Sequence, residues 1–204
     1  MKMPSWPVLL GFAALVIAGV ILSIMSRLGS FKDVVIERKK DIAPITVLSR
    51  EHLGAYHKIA GMLTEMETWA RAHDEPCAVT FGEYYDDPRN VDEDRLRARG
   101  GCVFANAESA ERLRKILSLS SEAAANPKSE TVMRIESVVI SDALVASFEG
   151  APSIGPLKVY PKVFQQMKDL DLVSNGPVLE LYEVLNAQGG RTRYYFPVKS
   201  TRAP

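Results

Sequence analysis

The stretches GAYHKIAGMLTEMETWARAHDEPCAVTFGEYY (Gly54 to Tyr85) and GPLKVYPKVFQQMKDLDLVSNGPVLELYEV (Gly155 to Val184) decide the fold. A shift of 101 residues lays Gly54 on Gly155, Met66 on Met167 and Pro76 on Pro177 without a gap. In both copies a helical apolar pattern runs from the glycine to the proline, and a short strand pattern follows. Identity between the copies is low, so spacing and pattern carry the repeat. Two similar halves pack about a pseudo-twofold axis, and the cleft between them is a natural ligand position.

Outward from the repeat, each half reads as strand, helix, strand, strand. In the first helix Ile59, Met62, Leu63, Met66 and Trp69 recur at three- and four-residue spacing; in the second, Leu157, Tyr160, Val163, Phe164, Met167 and Leu170 form the expected inner face. Strand-like runs lie at 33–37, 45–48, 77–85, 101–105, 131–137, 143–148, 178–184 and 193–198, with a further helix over 108–119. Residues 120–129 are polar and read as the linker between halves. The expected fold class is therefore α+β: a duplicated strand-helix-strand-strand unit, antiparallel sheet with helices on one face, preceded by one transmembrane helix. The boundaries are an N-terminal tail over 1–6, an anchor over 7–26, a linker over 27–33 with a hinge at Gly29-Ser30, and a domain over 34–204 with halves at about 34–119 and 130–199.

No charged residue occurs between Met3 and Ser26, and PVLLGFAALVIAGVILSIM (Pro7 to Met25) is apolar apart from one serine. At about 1.5 Å per residue this run spans roughly 29 Å, the hydrocarbon thickness of a bilayer. It ends at Met25-Ser26-Arg27, a poor cleavage context, so it reads as an uncleaved single-pass membrane anchor rather than a signal peptide. Arg27, Lys32, Arg38, Lys39 and Lys40 outnumber the single Lys2 on the other flank. The positive-inside tendency then puts the C-terminal domain in the cytoplasm.

The 25 basic and 25 acidic residues of the 204-residue chain cancel and are interspersed, which argues against nucleic acid as a partner. His52, His57 and His73 fall into no triad or metal-ligand spacing, and Asp86-Asp87-Pro88 suits a turn better than a metal site. No cofactor is expected. Cys77 and Cys102 sit in apolar strand-like runs and read as buried free thiols, with a disulfide as the alternative. Ser153-Ile154-Gly155 lacks the glycine that a nucleophile elbow places before the serine.

On a strand over 178–184, Leu179 and Leu181 share one face and suit packing against the helix; Glu180 and Tyr182 share the other. The repeat puts Val79 and Phe81 at the positions of Glu180 and Tyr182. By alternation from Phe81, Tyr85 rather than Tyr84 joins the same face. The expected ligand site is Glu180, Tyr182, Phe81 and Tyr85, on two open faces that meet around a shared cleft. A carboxylate among aromatic rings favours a cationic or hydrogen-bond-donating ligand, and desolvation would raise its pKa. The alternative is a glutamate that is merely solvated or paired with a lysine.

These segments resemble the GyrI-like small-molecule-binding family, which includes the effector-binding domains of multidrug-responsive transcription regulators. FGEYYDDPRNVDEDRLRARGGCVF (Phe81 to Phe104) is similar to the family's Tyr-Asp-Asp-Pro segment, and GPVLELYEV (Gly176 to Val184) to the segment bearing a ligand-binding acid two residues before a tyrosine. SIGPLKVYPKVFQQM (Ser153 to Met167) and YYFPV (Tyr194 to Val198) also look familial, so the resemblance covers about residues 34–199. It implies the duplicated fold, a ligand cleft between halves, and Glu180 and Tyr182 as ligand-binding residues. The anchor is similar to that of a membrane-anchored branch containing an ER-phagy receptor. The receptor role is not carried over, because its long disordered tail has no counterpart before Pro204; nor is there a helix-turn-helix for a transcription regulator. The expected function is membrane-tethered binding of an amphipathic or cationic small molecule. Alternatives are a protein-interaction module at the membrane, with a protein partner, and a Glu180-dependent hydrolase that lacks a clear second catalytic group.

Overall fold

A computed structural model of the chain describes residues 6–77, 79–104, 106–119, 132–186 and 189–201. The expected linker at 120–129, the start of the strand at 131 and most of the N-terminal tail fall outside them. Helix α1 (Trp6–Arg27) comes first, followed by β1 (Val34–Lys40), β2 (Ile45–Leu53), α2 (Ile59–Ala72), β3 (Val79–Tyr84), β4 (Arg97–Val103) and α3 (Ala107–Leu119). The second half contains β5 (Arg134–Val138), β6 (Asp142–Glu149), α4 (Gly155–Asp169), β7 (Leu172–Ser174), β8 (Val178–Asn186) and β9 (Gly189–Ser200). The expected α+β class stands: an antiparallel sheet, helices, and one N-terminal apolar helix long enough to cross a membrane, with none of its residues buried.

The strands run in the order β1-β6-β9-β8-β3-β4-β2-β5, with β7 added against β9. Exchange β1 with β5, β6 with β2, β9 with β4 and β8 with β3, and the order reads the same from the other end. The two halves meet at the β3–β8 pair, where Gly82 lies opposite Glu180 and Thr80 opposite Tyr182. Each half borrows its outer strand from the other: β1 pairs with β6, and β5 with β2.

Helices α2 and α4 pack on one face of the sheet. Ile59, Met62, Met66 and Ala70 of α2 lie against Leu48, Ala98 and Cys102. Val159, Val163 and Met167 of α4 lie against Leu144, Ala146, Phe148, Tyr194 and Phe196. The inner stripe of α4 therefore follows the four-residue spacing from Gly155. Leu157, Phe164 and Leu170, expected inside, are exposed, because Leu157 lies two residues (about 200°) from Val159 around the helix. On the other face Phe81, Leu179, Leu181, Val47, Val145 and Tyr195 form a separate apolar cluster covered by Val138, Ile140 and Ile42.

Two expectations are corrected here. Cys77 and Cys102 are not free thiols but a disulfide, with Cα atoms 5.3 Å apart. The apolar runs were read correctly, but pairing of β3 with β4 sets Cys102 opposite Thr80, close to the end of the segment that carries Cys77. The Gly29-Ser30 hinge is instead a packed corner, in which a side chain on Gly29 would meet the Glu149 carbonyl oxygen at 2.7 Å.

Candidate functional site

Between α2 and α4, on the helix side of the sheet, β8 and β3 form the floor of a groove. Alternation presents Val178, Glu180 and Tyr182 from β8 and Thr80, Gly82 and Tyr84 from β3. Glycine at position 82, opposite Glu180, leaves room for the Tyr84 ring, since a Cβ there would stand 2.6 Å from the Tyr84 hydroxyl. Tyr56, in the turn before α2, meets Tyr84 edge-on with centroids 4.8 Å apart and donates to the Asp86 carbonyl at 2.9 Å. The Asp-Asp-Pro turn is thus tied to the groove, with Asp86 holding Arg97 at 2.7 Å and Asp87 holding Arg89 at 2.7 Å. Arg89 also reaches across to α4, 5.9 Å from the centre of the Phe164 ring.

Glu180 occupies the centre and is 4% exposed. The Tyr160 hydroxyl, from α4, donates to its Oε1 at 2.8 Å, and the Tyr182 hydroxyl donates to Oε2 at 3.0 Å. The Tyr84 and Tyr182 hydroxyls are 2.8 Å apart, so with Tyr182 committed to Glu180 the Tyr84 hydroxyl is the donor. Loss of water pushes the Glu180 carboxyl up to about 7, against the two phenol hydrogen bonds that pull it down; no cation acts on it among the described residues. Burial, followed by the charge of Glu180, raises Tyr84, Tyr160, Tyr182 and Tyr194 above the ordinary tyrosine range, so they stay protonated donors. Tyr194 lies against the start of α4 at Gly155, and Thr192 approaches its hydroxyl without completing a hydrogen bond.

A cleft of about 250 Å³ adjoins this cluster, lined by Glu67, Cys77, Thr80, Pro152, Tyr182 and Arg191 among others. Tyr182 borders the cleft and Glu180 does not.

Of the four residues expected at the site, Glu180 and Tyr182 are together and in hydrogen-bond contact. Phe81 and Tyr85 are elsewhere. Phe81 is fully buried in the opposite cluster, opposite Leu181 in the register. Tyr85 donates to Glu83 at 3.0 Å and lines a separate surface hollow with Glu51, His52, Leu53 and Arg97. The face assignment of the leucines is reversed as well: Leu179 and Leu181 pack away from the helices. One cause explains the misplacement of Phe81 and Tyr85. A gapless shift of 101 is odd, whereas antiparallel strands related about a twofold between β3 and β8 must differ by an even number for equivalent residues to share a face. One residue of slip between helix and strand moves every side chain across the sheet. Sequence reasoning missed Tyr84 and Tyr160. Alternation from Glu180 through its partner Gly82 selects Tyr84; Tyr160 belongs to the expected inner face of α4, and its hydroxyl is the signal that it could reach a polar partner.

No protein-family model and no curated protein sequence matches the chain. Among solved structures, the chain is similar to the crystal structure of the EcmrR C-terminal domain, at TM-score 0.52 and 13% identity over 83% of this chain and 98% of that one. It is also similar to EcmrR in a cryo-EM EcmrR–DNA complex, at TM-score 0.54 and 12% identity over 94% of this chain and 72% of that one. A conserved protein from Listeria innocua aligns at TM-score 0.49 and 13% identity, over 80% of this chain and 92% of that one. At these identities the likeness is one of fold. The domain shares the type of fold of the EcmrR C-terminal domain and is preceded by an apolar helix.

Proposed function

We propose that the chain is a membrane-tethered receptor for a small organic cation, held at Glu180 in the groove between α2 and α4. One observation carries the reading: a buried carboxylate is ringed by Tyr84, Tyr160 and Tyr182 and has no cationic partner among the described residues. Burying a charge is unfavourable unless it is paired, so an empty site favours the protonated acid. An incoming cation supplies the missing charge and draws the carboxyl back to its ionised form. The tyrosine faces add area and cation–π attraction, while their hydroxyls hold the carboxylate oxygens in place. Tyr182 would turn aside to connect the cleft with Glu180. The apolar helix would keep the site beside a bilayer. The DNA of the EcmrR complex is not carried over, because this chain has a formal net charge of zero.

The test is titration of the full chain in nanodiscs with benzyltrimethylammonium, whose charge is independent of pH, beside Glu180→Gln. Binding should weaken by tenfold or more in the variant, on the scale of a lost buried ion pair, about 1.4 kcal/mol or above. In the wild type, affinity should fall roughly tenfold per pH unit below about 7 and level off above it. Equal affinity for both proteins at pH 8 would refute the reading.

We also assign the domain to an oxidising compartment. The Cys77–Cys102 disulfide favours that side. The opposing basic residues are weaker markers: Arg38 and Lys39 lie in β1 and are paired with Asp142 and Glu37 at 2.6 and 2.7 Å. Maleimide-polyethylene glycol added to denatured, unreduced whole-cell protein should leave its mobility unchanged and add two increments after reduction. Two increments without reductant would return the domain to the cytoplasm.

A further inference from the structure

The corner that joins α1 to the domain is built as a rigid connection. Gly29 takes a left-handed φ of 82°, its N–H donates to the Ser26 carbonyl at 3.1 Å, and the Ser30 N–H donates to the Met25 carbonyl at 3.0 Å. This is the glycine-terminated helix end in which the last carbonyls are satisfied by the following turn. The corner is then clamped to the second half. Ala151 N–H donates to the Leu28 carbonyl at 3.0 Å, and Lys158 Nζ, from the first turn of α4, donates to the Ser30 carbonyl at 2.8 Å and to that of Lys32. Lys32 lies 3.8 Å from Glu149.

The segments that grip α1 are those that frame the mouth of the groove. Pro152, on the cleft lining, follows Ala151 directly. Gly190 and Arg191, also on the lining, are tied to the same segment by the Gly150 N–H to the Gly190 carbonyl at 3.1 Å and by the Arg191–Glu149 pair at 2.6 Å. Apolar side chains are exposed at this end: Phe31 beside the corner, Leu157 in the first turn of α4, and Val184 on the cleft lining. Helix α1 has 22 residues, about 33 Å at helical rise, so its Arg27 end emerges at the headgroup level of a bilayer that it crosses. Aromatic and apolar residues at such a boundary settle into the interface.

We propose that the groove opens onto the membrane surface and takes its ligand sideways from the bilayer. The ligand class is then a membrane-partitioned amphiphile with a cationic amine or quaternary ammonium head. Its head passes Tyr182 to reach Glu180, and its tail remains at the mouth between Pro152 and Val184. This inference rests on the reading of Glu180 as a cation site. It adds the source and shape of the ligand.

The experiment uses the full chain in phosphatidylcholine nanodiscs. Bimane is attached to Val184→Cys at the mouth or to Lys168→Cys at the far end of α4, and headgroup-nitroxide phosphatidylcholine is the quencher. Dodecyltrimethylammonium is titrated in parallel into the wild type and Glu180→Gln. The expected result is quenching several-fold stronger at position 184 than at 168, together with dodecyltrimethylammonium binding that depends on Glu180. Equal or reversed quenching, with Glu180-dependent binding intact, overturns delivery from the bilayer and leaves the cation site standing. If benzyltrimethylammonium binds through Glu180 and dodecyltrimethylammonium does not, the amphiphile class is overturned. If neither binds, the cation site fails and this inference fails with it.

Discussion

Glu180 and Glu83 are near neighbours on the two central strands, and they face opposite sides of the sheet. Both are buried, at 4% and 5% exposure. Glu83 receives the Arg99 guanidinium and the Tyr85 hydroxyl, and Arg99 also bridges to Glu136. Glu180 receives hydroxyls alone. On the Glu83 face the buried carboxylate has a cationic partner within the protein. On the Glu180 face the balance is left incomplete beside a cleft. The same residue type at the same depth is thus a structural tie on one side and, in the proposed reading, a binding group on the other, and the difference is one arginine.

Substitutions can break the comparison from either side. The largest effect should come from Arg99→Met, which leaves Glu83 and Glu136 without their cation; a destabilisation of about 3–5 kcal/mol is expected from chemical denaturation at pH 7. Glu180→Gln should act in the opposite sense. The folded-state pKa of Glu180 is raised from 4.5 to about 7, so its contribution to stability is fully present below pH 4.5 and is lost as pH rises to about 7. At about 1.4 kcal/mol per unit, roughly 3 kcal/mol is lost by pH 8. Denaturation curves across that window should flatten in Glu180→Gln, which should be the more stable protein at pH 8; an unchanged slope would mean that Glu180 is not the titrating group.

Smaller effects sharpen the contrast between faces. Tyr160→Phe removes one donor to Glu180 and should weaken benzyltrimethylammonium binding roughly tenfold, on the scale of one hydrogen bond to a charged group, about 1.5 kcal/mol. It should also move the midpoint of the pH profile upward, because a hydrogen bond that lowers the carboxyl pKa is gone. Tyr85→Phe removes the corresponding hydroxyl from Glu83, should cost about 1 kcal/mol of stability, and should leave cation affinity within twofold. A larger loss of affinity from Tyr85→Phe would restore that residue to the site.

The helices were legible because their stripes are long enough to fix a period: Met62 and Met66, or Val163 and Met167, are buried where spacing puts them. The strands were legible as segments but not as faces. Runs such as Val178 to Val184 carry leucines, a glutamate and a tyrosine that are all at least partly buried, so hydrophobicity does not mark which side meets the helices. Only the packing of α2 and α4 onto the sheet decides it. Glu180 and Tyr182 were found because they sit on one strand. Phe81 and Tyr85 were misassigned because they were linked to it through the wrong parity. The disulfide was missed for a related reason: Cys77 and Cys102 come together through the pairing of β3 with β4, which no local pattern announces.

The exchange of outer strands has a consequence for how the chain is made. As it leaves the ribosome, β1 has no neighbour, because Val34 awaits Phe148 and Lys40 awaits Asp142. The first half waits for β5, and the second waits for β9 at the far end of the chain, so native structure forms late and through long-range contacts, a slow route that leaves sheet edges open meanwhile. The charges of Glu37, Arg38, Lys39 and Lys40 give this waiting edge a means of discouraging pairing with other nascent chains. Truncation before β9 would leave β6 and β8 without the strand that joins them, so the length of chain released sets when the second half, and with it the whole sheet, first exists.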